Sequence, residues 1–253
     1  MVPASSRLRQ TFRLGAALGA VRRQIRTISF AQYGEDVLLY TLFAPALRGF
    51  YIDVGAHDPW RLSNTYKLYL RGWSGITIEP NPDAARLFAR RRPRDLHLTC
   101  GIAREPAELT FYKFADSKLN SFDSEQANRM GQKIVERIRV ACLPLQDVVD
   151  QHRPDSAIDL LSVDCEGLDL DVLSSLDWTR IRPTVVIVED FEQFIKNKDG
   201  TSLSPIRGFL TDRGYALVSQ AVFSFIYVDT RVLARQDGES GFRLEHSQLR
   251  ALI

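Results

Sequence analysis

The sequence is short of the residues that mark several common kinds of site. It has three cysteines in 253 residues, Cys100, Cys142 and Cys165. They are odd in number and widely spaced with no CxxC pair, which excludes a disulfide framework and a zinc site and leaves reduced core thiols. Long apolar runs are missing as well. The longest in the N-terminal region, Leu14 to Val21, is far too short to span a bilayer, and no small-residue cleavage site follows it. The sequence therefore predicts neither a signal peptide nor a transmembrane helix. Net charge is only +2, so the chain is not built to coat nucleic acid. What remains is ordinary globular composition, 45% apolar and 25% charged, in a length that suits one α/β domain with appendages.

That small charge is unevenly placed. Residues 1–28 hold Arg7, Arg9, Arg13, Arg22, Arg23 and Arg26 and no acid, leaving about −4 for the rest of the chain. This basic, Ala/Leu-rich leader reads as a helix, either with solvated arginines or lying on an anionic membrane surface or a partner. The expected organisation is a leader over 1–28, one domain over 29–230 and a charged tail over 231–253.

Within the domain, strand and helix patterns alternate. "SFAQYGEDVLLYTLF" (29–43) reads as a helix ended by Pro45. Strand 50–54 follows, then helix 63–71 with Ser63 at its N-cap and Gly72 at its stop, strand 74–80, helix 81–92 and strand 96–102. Segments 107–114 and "RIRVACLPL" read as added strands, and "ADSKLNSFDSEQANRMGQK" between them as a polar loop leading into a helix. Strand 158–163, helix 168–177, strand 184–189, helix 204–213 and two strands near 214–219 and 222–229 complete the order. Continuous apolar strands such as "AIDLLSV" and "PTVVIVE" belong at the centre of a parallel sheet covered on both faces. The expected fold is α/β and Rossmann-like: a mostly parallel seven-stranded sheet with an antiparallel edge strand.

In such a sheet, ligands bind beyond the carboxyl ends of the strands. Those ends read Asp53–Gly55–Ala56–His57–Asp58, Glu79–Pro80–Asn81, Asp164–Cys165–Glu166–Gly167 and Glu189–Asp190. A nicotinamide dinucleotide needs G-x-G-x-x-G, so that backbone N–H groups meet its pyrophosphate. Here there is one glycine, and Pro59 removes an N–H nearby. S-adenosylmethionine has no phosphate; its α-amino group and ribose hydroxyls suit carboxylates. The cofactor set read from these ends is Asp53, Gly55, Ala56, Glu79 and Asn81, with Glu79 toward the ribose and Gly55 allowing close backbone approach. The bland alternative for D-V-G-A is a tight turn.

"SFAQYGEDVLLYTLF", "GFYIDVGAHDPWRLSNTYKLYLRGWSGITIEPNP", "LNSFDSE" and "IDLLSVDCEGLDLDVLSSLDW" together resemble the FkbM family of S-adenosylmethionine-dependent methyltransferases, over about residues 29–230. The resemblance implies a methyltransferase sheet acting mainly on oxygen, with Asp53, Gly55 and Glu79 at the cofactor and Asp164–Glu166–Gly167 as a second signature. Cys165 stands where the family usually has an aliphatic residue. Members of this kind are often found with polysaccharide, lipopolysaccharide or glycolipid biosynthesis.

Asp-Cys-Glu-Gly replaces the Asn/Asp-Pro-Pro-aromatic loop of amine-directed enzymes, and an acidic cluster suits removal of a proton from a hydroxyl. Asp164, Glu166 and His57 are the expected catalytic residues, His57 either as a base or as a residue orienting the cofactor loop. Asp164, Glu189 and Asp190 are the expected ligands of a divalent cation such as Mg²⁺, with Glu166 converging on them; otherwise Glu189 and Asp190 cap a strand or pair with Arg180 or Arg182. Cys165 among acids makes a poor nucleophile. The run Arg90, Arg91, Arg92 and Arg94 reads as a solvated helix end favoured by the dipole. The expected activity is methylation of a sugar hydroxyl on a glycan or glycolipid acceptor, in the cytoplasm or at the inner face of the membrane. The alternatives are an inactive cofactor-binding module docked to a membrane or glycosyltransferase complex, and methylation of a non-sugar hydroxyl.

Overall fold

The computed structural model describes residues 28–43, 48–123, 125, 133–153, 157–199 and 203–234. The arginines of the leader and residues 235–253 of the tail lie outside them. Among the described residues no helix is long and apolar enough to cross a membrane.

Seven strands form the main sheet: β1 (Phe50–Val54), β2 (Ser74–Ile78), β3 (Leu96–Leu98), β7 (Leu160–Val163), β8 (Val185–Glu189), β9 (Tyr215–Ala221) and β10 (Ser224–Asp229). Their order is β3-β2-β1-β7-β8-β10-β9. All pairings are parallel except those of β10, which runs against both β8 and β9. The reversed strand thus lies one place in from the edge, and the edge strand β9 follows the common direction. Every residue of β7 is buried, as are the first four of β8, so no alternation was available to these strands. Each such Val or Leu contributes about 1.5–3 kcal/mol by leaving water.

Helices α1 (Glu35–Leu42), α2 (Tyr66–Leu70), α3 (Pro82–Arg91), α4 (Leu145–His152), α5 (Asp169–Ser174), α6 (Phe191–Asp199), α7 (Pro205–Asp212) and α8 (Thr230–Ala234) connect and flank the strands. Helix α1 begins six residues later than expected, because its first-turn acids hold residues 29–33 as a folded-back loop. Asp36 accepts from Ser29 Oγ (2.6 Å) and Phe30 N (2.9 Å), and Glu35 accepts from Tyr33 N (2.7 Å). Helix α2 keeps Ser63 as the acceptor for Tyr66 N, although Thr65 occupies the cap.

The segment expected as one strand over 96–102 is divided. After β3 the chain leaves the main sheet, and β4 (Gly101–Ile102) pairs with β6 (Ile134–Leu143), which also pairs antiparallel with β5 (Ala107–Phe114). This three-stranded sheet is tied to α3 by Lys113, which bridges Asp83 and Glu136 at 2.6 Å each.

Arg90, Arg91 and Arg94 are exposed, as the reading of the run as solvated expects, but Arg92 is not. It is 1% exposed, and its guanidinium donates to Asp95, Tyr51 Oη and Thr65 Oγ1, while Thr65 donates to Asp53 (2.5 Å). Arg94 stacks on Tyr69, 3.8 Å from the ring centroid. The helix ends at Arg92, and the chain then turns this side chain under the strand ends instead of into solvent.

Candidate functional site

The order of strands reverses between β1 and β7, where the chain returns to the opposite side of β1. That is the switch point at which an open α/β sheet forms a crevice. A cleft with an empty volume of about 860 Å³, its mouth included, opens there. Its floor is Val54, Gly55, Ile78 and Glu79; one wall is Asp164, Cys165, Glu166 and Leu168; its roof is supplied by Phe111, Asn120 and Phe122 beside the second sheet.

Hydrogen bonds between strand ends fix this floor. Gly55 N and Ala56 N both donate to Ile78 O, and Asp164 N donates to Val54 O. Gly55 has φ +79°, and a Cβ there would lie 1.8 Å from the carbonyl oxygen of Asp164. The missing side chain is thus required by the contact between the β1 and β7 loops themselves. His57 and Glu166 also take left-handed φ values (48° and 50°), unusual for residues with side chains and often found where a site constrains the backbone.

Glu79 crosses the floor. Its carboxylate accepts from His57 N (2.9 Å) and Asn81 N (2.8 Å) while lining the cleft. Burial pushes its pKa up to about 7, against those two amide bonds. His57 shares a hydrogen bond through Nε2 with Ser117 Oγ (3.0 Å); its Nδ1 is buried with no partner among the described residues. Burial lowers its pKa, so the ring is neutral near pH 7.

The acids of the β7 and β8 ends come together: oxygens of Asp164, Glu166 and Glu189 all lie within 4.8 Å of one another. Asp164 is open to the cleft, yet it stands at the base of it with Glu189, Asp169, Glu166 and Asp53 nearby. Burial at that depth and these like charges hold its carboxyl well above the usual range. Glu189 is raised in the same way, by burial and then by Glu166 and Asp169. Asp169, unremarked in the sequence reading, orders the loop by accepting from Cys165 N (2.9 Å) and Gly167 N (3.1 Å), and burial raises it to about 6. The Cys165 thiol is pushed far up by burial and the same acids, which removes it as a nucleophile at neutral pH.

Four expected site residues point elsewhere. Asp53 is absent from the cleft lining: it alternates with Val54 on β1 and faces Thr65 and the Arg92 network instead. Ala56 packs on Ala84 and Phe88 of α3. Asn81 caps α3, its side chain accepting from Asp83 N (3.2 Å). Asp190 follows Glu189 by one residue and turns to the opposite side, where it accepts from Gln193 N (2.9 Å) at the start of α6 and from Ser204 Oγ. This corrects its assignment to the acidic cluster. Arg180 and Arg182 pair with Asp150 and Asp229, so neither neutralises Glu189. Phe111 and Phe122 were missed because they come from β5 of the second sheet and the loop after it, not from the ends of the main-sheet strands.

The raised acids predict a pH dependence. A carboxyl whose folded pKa exceeds its unfolded one contributes stability that is complete below the unfolded value and is lost as pH rises through the folded value. For Glu79 that window runs from 4.5 to about 7, and for Asp169 from 3.8 to about 6. Together they should cost the protein about 2 kcal/mol of stability between pH 6 and 8.5, or roughly 4–8 °C in melting temperature. Thermal melts at the two pH values test this, and Glu79→Gln should shrink the difference without abolishing it, because Glu189, pushed up to about 8, is lost over the same window. Equal melting temperatures would contradict it.

The residues present fit S-adenosylmethionine. Ile78, Ile102, Phe111 and Phe122 offer apolar surface for a flat base, Glu79 an acceptor for ribose hydroxyls, and the acids a favourable place for a cation. A family model described as the methyltransferase FkbM domain matches residues 53–217. No curated protein matches the sequence. Among solved structures, an O-methyltransferase from Bacillus cereus in complex with SAH aligns at 14% identity and TM-score 0.35, covering 90% of this chain and 93% of that one. A candidate O-methyltransferase from Klebsiella pneumoniae aligns at 13% and 0.40, over 80% of this chain and 82% of that one. A candidate RNA methyltransferase from Pyrococcus horikoshii aligns at 10% and 0.41, over 79% and 88%. Likeness at this level carries no information about the acceptor. The family match covers the strands and loops that build the cleft, and on that basis the chain belongs to the FkbM methyltransferase family and is an S-adenosylmethionine-dependent methyltransferase.

Proposed function

We propose that the protein methylates a hydroxyl oxygen of a sugar in a glycan or glycolipid. The observation that carries this reading is the convergence of Asp164, Glu166 and Glu189 within 4.8 Å of one another beside the cleft. Three carboxylates so close cannot all be ionised cheaply, and a shared proton or a bound cation relieves them.

S-adenosylmethionine supplies an electrophilic methyl group whose departure leaves a neutral thioether. The protein has to hold an acceptor oxygen in line with that methyl and take its proton. Asp164 and Glu166 line the cleft and are the groups that receive it; with its raised affinity for protons Asp164 is a stronger base than an ordinary carboxylate once ionised. Glu79 orients the cofactor's ribose side by holding the His57 and Asn81 amides in place.

The same three acids offer oxygen ligands suited to a divalent cation, the second reading of the cluster. A cation held there would lower the acceptor's hydroxyl pKa and orient neighbouring hydroxyls.

The test is transfer of radiolabelled methyl from S-adenosylmethionine to polysaccharide, lipopolysaccharide and glycolipid fractions, with Mg²⁺ and with a chelator. Base-stable label in a sugar is expected, as befits an ether. Base-labile label would mean a carboxylate acceptor, and label only in protein or small molecules would overturn the sugar assignment. Activity unchanged by the chelator would decide for the shared proton over the cation.

A further inference from the structure

A second cleft adjoins the first. His57, Leu62, Ser117 and Lys118 line both, so the hydrogen bond between His57 and Ser117 stands in the partition. Beyond it lie two aromatic rings, Phe30 and Trp60, two acids, Asp58 and Asp116, and two cations, Arg61 and Lys118.

Local geometry makes this wall rigid. Asp58 Oδ1 accepts from both Trp60 N (2.9 Å) and Arg61 N (2.8 Å), fixing the turn after His57. Its other oxygen takes no hydrogen bond from the described residues. The Arg61 guanidinium lies over the Trp60 ring at 4.8 Å, which orients the indole. Asp116 caps the short 3₁₀ turn at Ser117–Leu119 and pairs loosely with Lys118 at 3.7 Å. Asp58, Asp116 and Lys118 line the cleft together with His57.

We propose that this second cleft seats the neutral sugar ring whose hydroxyl is methylated, with Trp60 and Asp58 determining which ring is accepted. The assignment rests on the hydroxyl-methylating function proposed above. Its chemistry is that of the lining. A pyranose has a face of C–H groups that packs on an aromatic ring and a rim of hydroxyls that donate to carboxylates. A phosphate needs an excess of cations, but here two acids match two bases. An aliphatic chain has no use for Asp58 or Asp116. The position also suits the reaction, since this cleft shares His57, Leu62, Ser117 and Lys118 with the cleft that holds Asp164 and Glu166.

The experiment is saturation-transfer NMR and calorimetry on the full chain with SAH present, using methyl α-glycosides of rhamnose, mannose, glucose and galactose, with inorganic phosphate as comparator. At least one glycoside should bind. Asp58→Asn should weaken it about tenfold or more, the loss expected for one hydrogen bond to a charged group, and Trp60→Ala by a similar factor for the lost apolar face, with SAH affinity unchanged in both. Trp60→Phe should retain most binding. The asparagine keeps Oδ1 for the backbone turn, so the loop stays folded, and this variant decides the matter if Trp60→Ala does not fold. Glycoside binding unmoved by Asp58→Asn and Trp60→Phe alike, with Trp60→Ala folded and also unmoved, would overturn the assignment. So would phosphate binding alone, or no glycoside binding to a chain that binds SAH. A wild-type chain that binds glycosides but not SAH would sink the methyltransferase site and leave the second cleft standing.

Discussion

Asp164→Asn should lower methyl transfer by about a thousandfold while SAH still binds and the protein melts at a higher temperature than wild type. The first effect follows, on the proposed function, from the loss of the carboxylate assigned to receive the acceptor's proton, for which general-base catalysis is typically worth 10²–10⁴-fold. The second follows from the cluster. Glu189, Asp169, Glu166 and Asp53 all raise the affinity of Asp164 for a proton, so each of them is also disfavoured by its charge. Asparagine has the same shape and no charge, and it relieves that repulsion. A site kept costly for the sake of its chemistry should gain stability as it loses activity. Rates with radiolabelled cofactor, SAH calorimetry and a melting curve on the same preparation measure all three. Wild-type activity in both Asp164→Asn and Glu166→Gln would refute the proton-transfer role. Loss of SAH binding in parallel with activity would make Asp164 a cofactor residue instead.

This rise in stability depends on side-chain direction, and direction is where the sequence was least legible. The strands were readable because buried parallel strands are continuously apolar, and their ends were readable because carboxylates follow them abruptly. Gly55, Glu79, His57, Asp164 and Glu166 accordingly line the cleft. Their neighbours do not, since one step along a strand reverses a side chain. Asp53 beside Val54 faces a buried arginine, and Asp190 beside Glu189 caps a helix. Arg92 is the sharpest case. A basic residue at a helix end normally meets water, and only the three-dimensional placement of Asp95, Tyr51 and Thr65 makes burial tolerable. Helices α4 and α6 passed unnoticed because each is short and follows its strand closely: Pro144 starts one and Asp190 the other, and neither has a long periodic face. The aromatic residues of the roof could not be read, since β4 leaves the main sheet to pair with a strand more than thirty residues away.

Gly55 lines the cleft but is also wedged against the β7 loop, and Gly55→Ala separates a role in cofactor approach from a role in the fold. If the glycine served only cofactor approach, alanine would weaken SAH binding and leave the free protein nearly as stable, apart from the left-handed φ penalty of roughly 1–2 kcal/mol. The contact with Asp164 demands more. An added Cβ would sit 1.8 Å from a backbone oxygen and 2.8 Å from its carbon, and no rotamer can move a backbone atom aside. Relief requires the β7 loop to withdraw, which breaks the Asp164 N to Val54 O bond (3.0 Å) and carries the Asp164 carboxylate out of its cluster. Strain, a lost buried hydrogen bond and loosened packing together should cost about 4 kcal/mol, or roughly 10 °C in melting temperature for a domain of this size. Gly167 is the internal control. Its φ is +96°, yet a Cβ there meets nothing within 4 Å, so Gly167→Ala should cost only the conformational part, about 1 kcal/mol and a few degrees. Equal losses in the two variants would mean that the β1 and β7 loops are not wedged together as described. A large loss confined to Gly55→Ala, together with inactivity, would establish that one missing methyl group holds the cofactor strand and the acid-bearing strand at their working separation.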